Sequence, residues 1–178
     1  MSFLNIVILS GGTIFIVWFS WWASIKEKRY HGIYRFFSFE SILILVLNNK
    51  ACWFLSPFSF AQCLSWTLLL LSLILAITGF KHLIQRGKPE GNFENTTLLI
   101  TTGTYYFIRH PLYCSLLLGG TGIWLKNPSD IFSIILCIIN ALALYYTARA
   151  DEHEMICRFG EEYRAYMRRS KMFIPFIF

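Results

Sequence analysis

Two clusters of polar residues stand out in a chain that is otherwise strongly apolar. The first runs Gly103-Thr104-Tyr105-Tyr106-Phe107-Ile108-Arg109-His110-Pro111-Leu112-Tyr113 and brings a guanidinium, an imidazole and tyrosine hydroxyls together. The second, Arg149-Ala150-Asp151-Glu152-His153-Glu154, adds carboxylates and another cation. Only a short apolar hairpin separates them, so the two clusters must be neighbours in space. Arg109, His110, Tyr113, Arg149, Asp151 and Glu152 are thereby expected to ring one pocket. Polar groups in contact with lipid are costly, so a ring of them marks a site. It contains no Ser/His/Asp or Cys/His set. The cysteines (Cys52, Cys63, Cys114, Cys137, Cys157) show no metal-ligand spacing and read as small buried hydrophobes, so no metal is expected.

The elements that position these clusters follow from composition. Of 178 residues, 56% are hydrophobic, 18% aromatic and only 15% charged. A soluble domain carries roughly 25% charged residues, and a chain this apolar cannot cover a compact surface with polar groups. That excludes a secreted disulfide scaffold, a nucleic-acid module and a disordered tail. It predicts an all-α integral membrane protein. Phe3–Ile25 and Phe58–Phe80 are uncharged runs of 23 residues, long enough to cross a core about 30 Å thick. The first ends in Trp18, Trp21 and Trp22, rings that favour the membrane boundary. It lacks the features of a cleavable leader and reads as a permanent anchor. A less clean span covers Phe36–Leu55 and is closed by Ser56-Pro57. Leu112–Leu125 and Ile131–Ala148 form a C-terminal helical hairpin whose first arm is short for a full crossing.

Five spans place 26–35, 81–110 and 149–178 on one side, and those segments hold 14 of the 16 Lys and Arg residues. Cytoplasmic loops are the lysine- and arginine-rich ones, so the N-terminus is expected outside and the C-terminus in the cytoplasm. The net charge of +6 then reflects topology and attraction to anionic lipid, with no nucleic acid implied. Two regions are expected: 1–80, with three transmembrane helices, and 81–178, with the polar loop, the hairpin and a cytosolic amphipathic tail. In that tail Met155, Phe159, Tyr163 and Tyr166 form a stripe suited to lying on the membrane, opposite Arg158, Arg164, Arg168 and Arg169. Gly160 reads as a break, and Ser115, Gly119, Gly120 and Gly122 as close-packing positions.

Gly-x-Tyr-x-x-x-Arg-His-Pro-x-Tyr, from Gly103 to Tyr113, resembles the core motif of the isoprenylcysteine carboxyl methyltransferase family. The preceding Thr97-Leu98-Leu99-Ile100-Thr101-Thr102 is similar to the family as well. So are the paired acids Asp151-Glu152, then Phe159-Gly160-Glu161-Glu162-Tyr163-Arg164-Ala165-Tyr166, then Ile174-Pro175. Order and spacing match over 97–178, and phospholipid N-methyltransferases look like more distant relatives. The resemblance implies transfer of a methyl group from S-adenosylmethionine to a lipophilic acceptor that arrives from the bilayer, an isoprenylcysteine carboxylate being one such acceptor. By the same resemblance Thr97, Leu98, Leu99, Ile100, Tyr105, His110, Pro111, Leu112 and Tyr113 line the cofactor pocket. Asp151 or Glu152 pairs with the cofactor's ammonium, and Arg149 with Glu152 stands at the reacting end. The family places its acceptor-orienting arginine where this chain has Thr147. Arg149 lies two residues on, about 200° round a helix.

Other readings of the same residues stay open. Arg109 could be a boundary anchor with Pro111 opening the next helix, and Arg149, Glu152 and His153 a plain ion-pair ladder. NADPH-dependent membrane sterol reductases resemble the same C-terminal region, and a non-catalytic membrane scaffold is the third possibility. No obligate protein partner is implied. The bilayer could be a cell membrane or the endoplasmic reticulum.

Overall fold

A computed structural model describes residues 3–177. The outer ends of the two expected regions, 1–2 and 178, lie outside the described residues. The chain folds into helices, with no strand among the described residues. They are α1 (Phe3–Ala23), α2 (His31–Asn49), α3 (Phe60–Gly87), a single turn α4 (Thr104–Phe107), α5 (Pro111–Trp124) and α6 (Ile131–Arg169).

Three helices are long and apolar enough to cross a membrane: the first, extended by a short turn to Glu27, then α3 and α6. Within the most apolar window, 11% of residues are buried in the first and in α3, against 39% in α6. The two outer helices therefore present bare apolar side chains that only lipid can cover. Trp18 and Phe60, for example, are 52% and 84% exposed.

Local chemistry sets the helix ends. Ser59 and Asp130 cap α3 and α6, accepting from the amides of Gln62 and Ser133 at 3.3 and 3.0 Å. Pro111 opens α5, where its missing N–H costs nothing. α3 runs past the expected Phe80 to Gly87, because Lys81–Arg86 keep helical geometry beyond the apolar run. α6 is about 58 Å long at 1.5 Å per residue. It is interrupted where expected: Gly160 has φ 55° and ψ −128°, a region open essentially only to glycine.

α2 lies at the centre, against α1, α5 and α6, while α3 packs on α5. Small residues let α3 and α5 approach. A methyl on Gly122 would meet Leu69 at 3.0 Å, and Ser65 and Ser72 donate to the carbonyls of Gly122 and Ser115 at 2.6 and 2.7 Å. Ser38 and Asn140 join α2 to α6 at 2.7 Å. The loop between α3 and α4, the start of α2 and the far half of α6 meet at one polar end of this bundle.

Candidate functional site

The Gly103 motif is held by backbone geometry and by the chain's last segment. Gly103 has φ 69°, and a methyl there would lie 2.3 Å from the His82 ring; glycine is the residue that fits. The Arg109 amide donates to the Lys171 carbonyl at 2.7 Å, and the Lys171 amide to the Phe107 carbonyl at 3.2 Å. This short strand-like clamp ties Arg-His-Pro to the tail. The Arg109 side chain extends it, donating from Nε to Glu152 at 2.7 Å and also to the Ser170 carbonyl.

His110 is turned towards the paired acids. Its Nδ1 lies 3.5 Å from Asp151 and its Nε2 3.5 Å from Glu152. Among the described residues neither Nε2 of His110 nor Oε2 of Glu152 finds a hydrogen-bond partner, although both are buried. Buried polar groups without a hydrogen-bond partner are rare. The His110 ring stacks on Tyr113, with centroids 5.3 Å apart.

These groups border a cleft with about 730 Å³ of empty space, counting its open mouth. Of the expected residues, Leu98, Leu99, Ile100, Tyr105, His110, Pro111, Leu112, Tyr113 and Asp151 line it. Thr97, Glu152 and Arg149 are not on its wall. Thr97 instead caps α3, its amide donating to the Gly87 carbonyl at 2.9 Å and its hydroxyl to the Lys88 carbonyl at 2.8 Å. Glu152 sits behind the wall, 2% exposed, held by Arg109. The Arg149 side chain is 59% exposed and lies 3.7 Å from Glu152. Thr147, where the resemblance would place an arginine, is fully buried and donates to the Ala143 carbonyl at 2.7 Å.

The stripe Met155, Phe159, Tyr163 and Tyr166 is turned inward, not to the outer surface. It faces this cleft, with Tyr163 and Tyr166 3% and 2% exposed. Phe93, Leu98, Leu99 and Ile100 of the loop ahead of α4 line the same cleft, and the helical period is the same whether a stripe meets protein or lipid. The Tyr166 hydroxyl donates to the Tyr105 carbonyl at 2.5 Å. Burial, with Tyr166 and Asp151 nearby, pushes the Tyr105 hydroxyl far above its ordinary value, so it stays protonated.

Arg29, His31, Arg35, Phe93 and Glu94, none of them an expected site residue, supply the opposite wall. Glu94 is the hub. It accepts from Arg35, from Ser24 at 2.8 Å and from His31 at 3.1 Å, and its carbonyl accepts from Arg29. His31 also meets Glu154 at 3.0 Å, and Arg29 pairs with Glu154 and Asp151 at 2.8 and 3.2 Å. Burial disfavours the charged imidazole, but Glu154, Glu94 and Asp151 outweigh it and raise His31 to about 9. Burial likewise opposes the Glu94 carboxylate, yet His31 and Arg35 hold it at about 2. His31, Asp151 and Glu154 place ligand atoms within 4.8 Å of one another, as a metal would need. The Arg29 guanidinium already bonds two of the three and does a cation's electrostatic work there. The one sequence signal was His31 and Arg35, four apart at the start of an apolar helix.

Residues 60–162 match the model of the phospholipid methyltransferase family, more than half of the chain. The chain belongs to this family. Its curated relatives include the mouse protein-S-isoprenylcysteine O-methyltransferase, 32% identical over 66% of this chain and 38% of the relative. The Arabidopsis thaliana protein-S-isoprenylcysteine O-methyltransferase B is 29% identical over 72% of this chain and 63% of the relative. Methanethiol S-methyltransferase 1 of Bradyrhizobium diazoefficiens is 26% identical over 53% of this chain and 30% of the relative. The chain thus spans well under half the length of the mammalian relative. No solved structure matches it. The motifs from Gly103 to Tyr113 and at Asp151-Glu152 lie inside the matched region, and the apolar helices fit a membrane methyltransferase family.

Proposed function

We propose that this chain is an S-adenosylmethionine-dependent methyltransferase acting on a lipophilic, membrane-embedded acceptor. The observation that carries the reading is the cleft at the polar end, where the family motif, Asp151 and orphaned buried polar groups converge. The residues fit the cofactor. Asp151 offers a carboxylate for its ammonium group. The amides of Thr97 and Leu98 are used on Gly87, which leaves the backbone groups of Leu99 and Ile100 for the adenine edge. His110, with its unpartnered Nε2, and Tyr113 suit the ribose or the amino-acid end.

When bound, the cofactor supplies a methyl already activated by the sulfonium. The protein then needs no nucleophile of its own. Its residues hold donor and acceptor in line and exclude water, and positioning alone is worth about 7–11 kcal/mol. Ile100, Tyr105, Tyr113, Tyr163 and Phe159 form the apolar wall that keeps water out. Arg149, exposed and 3.7 Å from Glu152, is the residue this reading assigns to orienting an incoming head group.

This reading includes α2 from about Phe36, and α5, in the bilayer as a second and a fourth span, with the polar end in the cytoplasm and the N-terminus outside. Residues 1–80 are then the anchor and 81–178 the catalytic region, the anchor lending Arg29, His31 and Arg35 to the shared cleft. The names of the relatives support methyl transfer, with isoprenylcysteine-type carboxylates and small thiols among the acceptors to consider. Calorimetry of the detergent-solubilised protein tests the cofactor. Saturable binding of S-adenosylhomocysteine, with none of NADPH, is expected. The reverse result would move the site to a reductase, and silence from both in a folded sample would leave a scaffold.

A further inference from the structure

Of the charged run Lys26-Glu27-Lys28-Arg29 that follows α1, only Arg29 is turned into the protein; the other three are exposed. Lys28 takes a left-handed turn, φ 58°, and the Arg29 amide donates to the Ser24 carbonyl at 3.0 Å. The guanidinium then reaches α6 and the loop ahead of α4. Its Nε donates to Glu154 at 2.8 Å, one terminal nitrogen to the Glu94 carbonyl and the other to Asp151 at 3.2 Å. A guanidinium has five N–H groups, so each terminal nitrogen keeps one without an acceptor among the described residues.

Among the cations of this wall, Arg29 is the one with surface to offer a ligand. The side chains of Arg29 and Asp151 are 14% and 17% exposed, and both line the cleft. His31 and Arg35 are 1% and 4% exposed. On the facing wall Arg109 is held by Glu152 and by the carbonyls of Met167 and Ser170. The cleft therefore presents a cation and a carboxylate side by side. Glu154 and the Glu94 carbonyl already fix the guanidinium, so a ligand meets it without ordering a loose side chain.

The ligand feature that matches such a pair is an ammonium and a carboxylate held equally close. An α-amino acid zwitterion is that feature, because its two charged groups share one carbon. Net charge agrees. Arg29, His31 and Arg35 balance Glu94, Asp151 and Glu154, so the wall is neutral as it stands. A zwitterion leaves it neutral, whereas an ammonium alone would leave one cation in excess, which is costly away from water. We infer that Arg29 binds the carboxylate of the cofactor's amino-acid end while Asp151 binds its ammonium. The turn between α1 and α2 then completes the cofactor pocket. The inference rests on the methyltransferase reading, and Arg29 lies outside the family match at 60–162.

Calorimetry of the full chain in detergent tests this with two ligands. One is S-adenosylhomocysteine; the other is its decarboxylated analogue, which keeps the adenosine, the thioether and the ammonium. The wild type is expected to bind S-adenosylhomocysteine at least about tenfold more tightly, as one charge-assisted contact allows. Arg29→Gln removes or reverses the difference. It weakens S-adenosylhomocysteine by at least about tenfold, while the analogue binds as tightly as before or more so, because Asp151 is released and the wall gains a negative charge. Retained binding of the analogue shows that the variant is folded. Arg29→Lys keeps the charge beside Glu154 without the planar fork and loses most of the preference, which carries the test if the glutamine variant does not fold. Equal affinities in the wild type overturn the inference. So does a preference that survives in both variants, which would place the carboxylate on another cation such as Arg109. Parallel weakening of both ligands would make Arg29 structural only. A folded wild type that binds neither ligand would instead sink the methyltransferase reading.

Discussion

Replacing His31 with glutamine removes the cation at the centre of the wall that closes the cleft. His31 is 1% exposed, with Nε2 3.1 Å from Glu94 and Nδ1 3.0 Å from Glu154. Its rise from 6.5 to about 9 corresponds to about 3 kcal/mol of preference for the charged ring in the folded state. The folded value is the higher one, so this stabilisation is complete below about 6.5 and is lost as pH rises through about 9. Glu94 runs the other way. Its value falls from 4.5 to about 2, so its contribution is present above 4.5 and lost only as pH drops towards 2. The two shifts describe one set of contacts and are not summed. Together they make the wall strongest between 4.5 and 6.5. Glutamine can donate one hydrogen bond but brings no charge. Near pH 6 the variant should lose about 3 kcal/mol, or about 6–12 °C in Tm for a chain of this size. Tryptophan-fluorescence melting of the detergent-solubilised proteins across pH is the assay. The gap between wild type and variant should close towards pH 10, where His31 is neutral in both folded and unfolded chains. Equal melting temperatures near pH 6, or a gap that does not narrow with rising pH, would refute a charged His31 between the two carboxylates.

Arg109 and Arg149 separate structure from turnover. Arg109→Ala leaves Glu152 buried with its principal partner gone and should cost about 3–5 kcal/mol in thermal or denaturant unfolding. Arg149→Ala, at an exposed pair 3.7 Å long, should cost under about 1 kcal/mol while lowering turnover more than cofactor affinity; unchanged turnover would return Arg149 to a simple surface pair. Gly160→Ala places a side chain at φ 55° with nothing within 4 Å of the new methyl, so the cost is backbone strain alone, about 1–3 kcal/mol. A melting temperature equal to the wild type's would show that the two halves of α6 can bend without it.

Composition and local spacing set the solvent, the helical class and one wall of the site. Uncharged runs need lipid whatever their partners, and the break at Gly160 follows from a residue without a Cβ. The motif from Gly103 to Tyr113 and the acids at Asp151-Glu152 were visible because their spacing is local and the hairpin between them is short. The rest of the site depends on which helices pair. Glu94 meets Arg35 across 59 positions, and Arg29 meets Glu154 across 125. In the sequence Arg29 is simply the last residue of a basic boundary run, and Glu94 an acid in a polar loop. Periodicity records that one face of a helix is buried, not what buries it. The stripe from Met155 to Tyr166 therefore reads the same whether it meets lipid or, as here, closes a cleft. Thr97 and Arg149 show the converse: each stands beside site residues in sequence, yet a helix cap claims one and the helix's outer face the other. Side-chain direction within a turn is set by packing between segments, and a local pattern does not carry it.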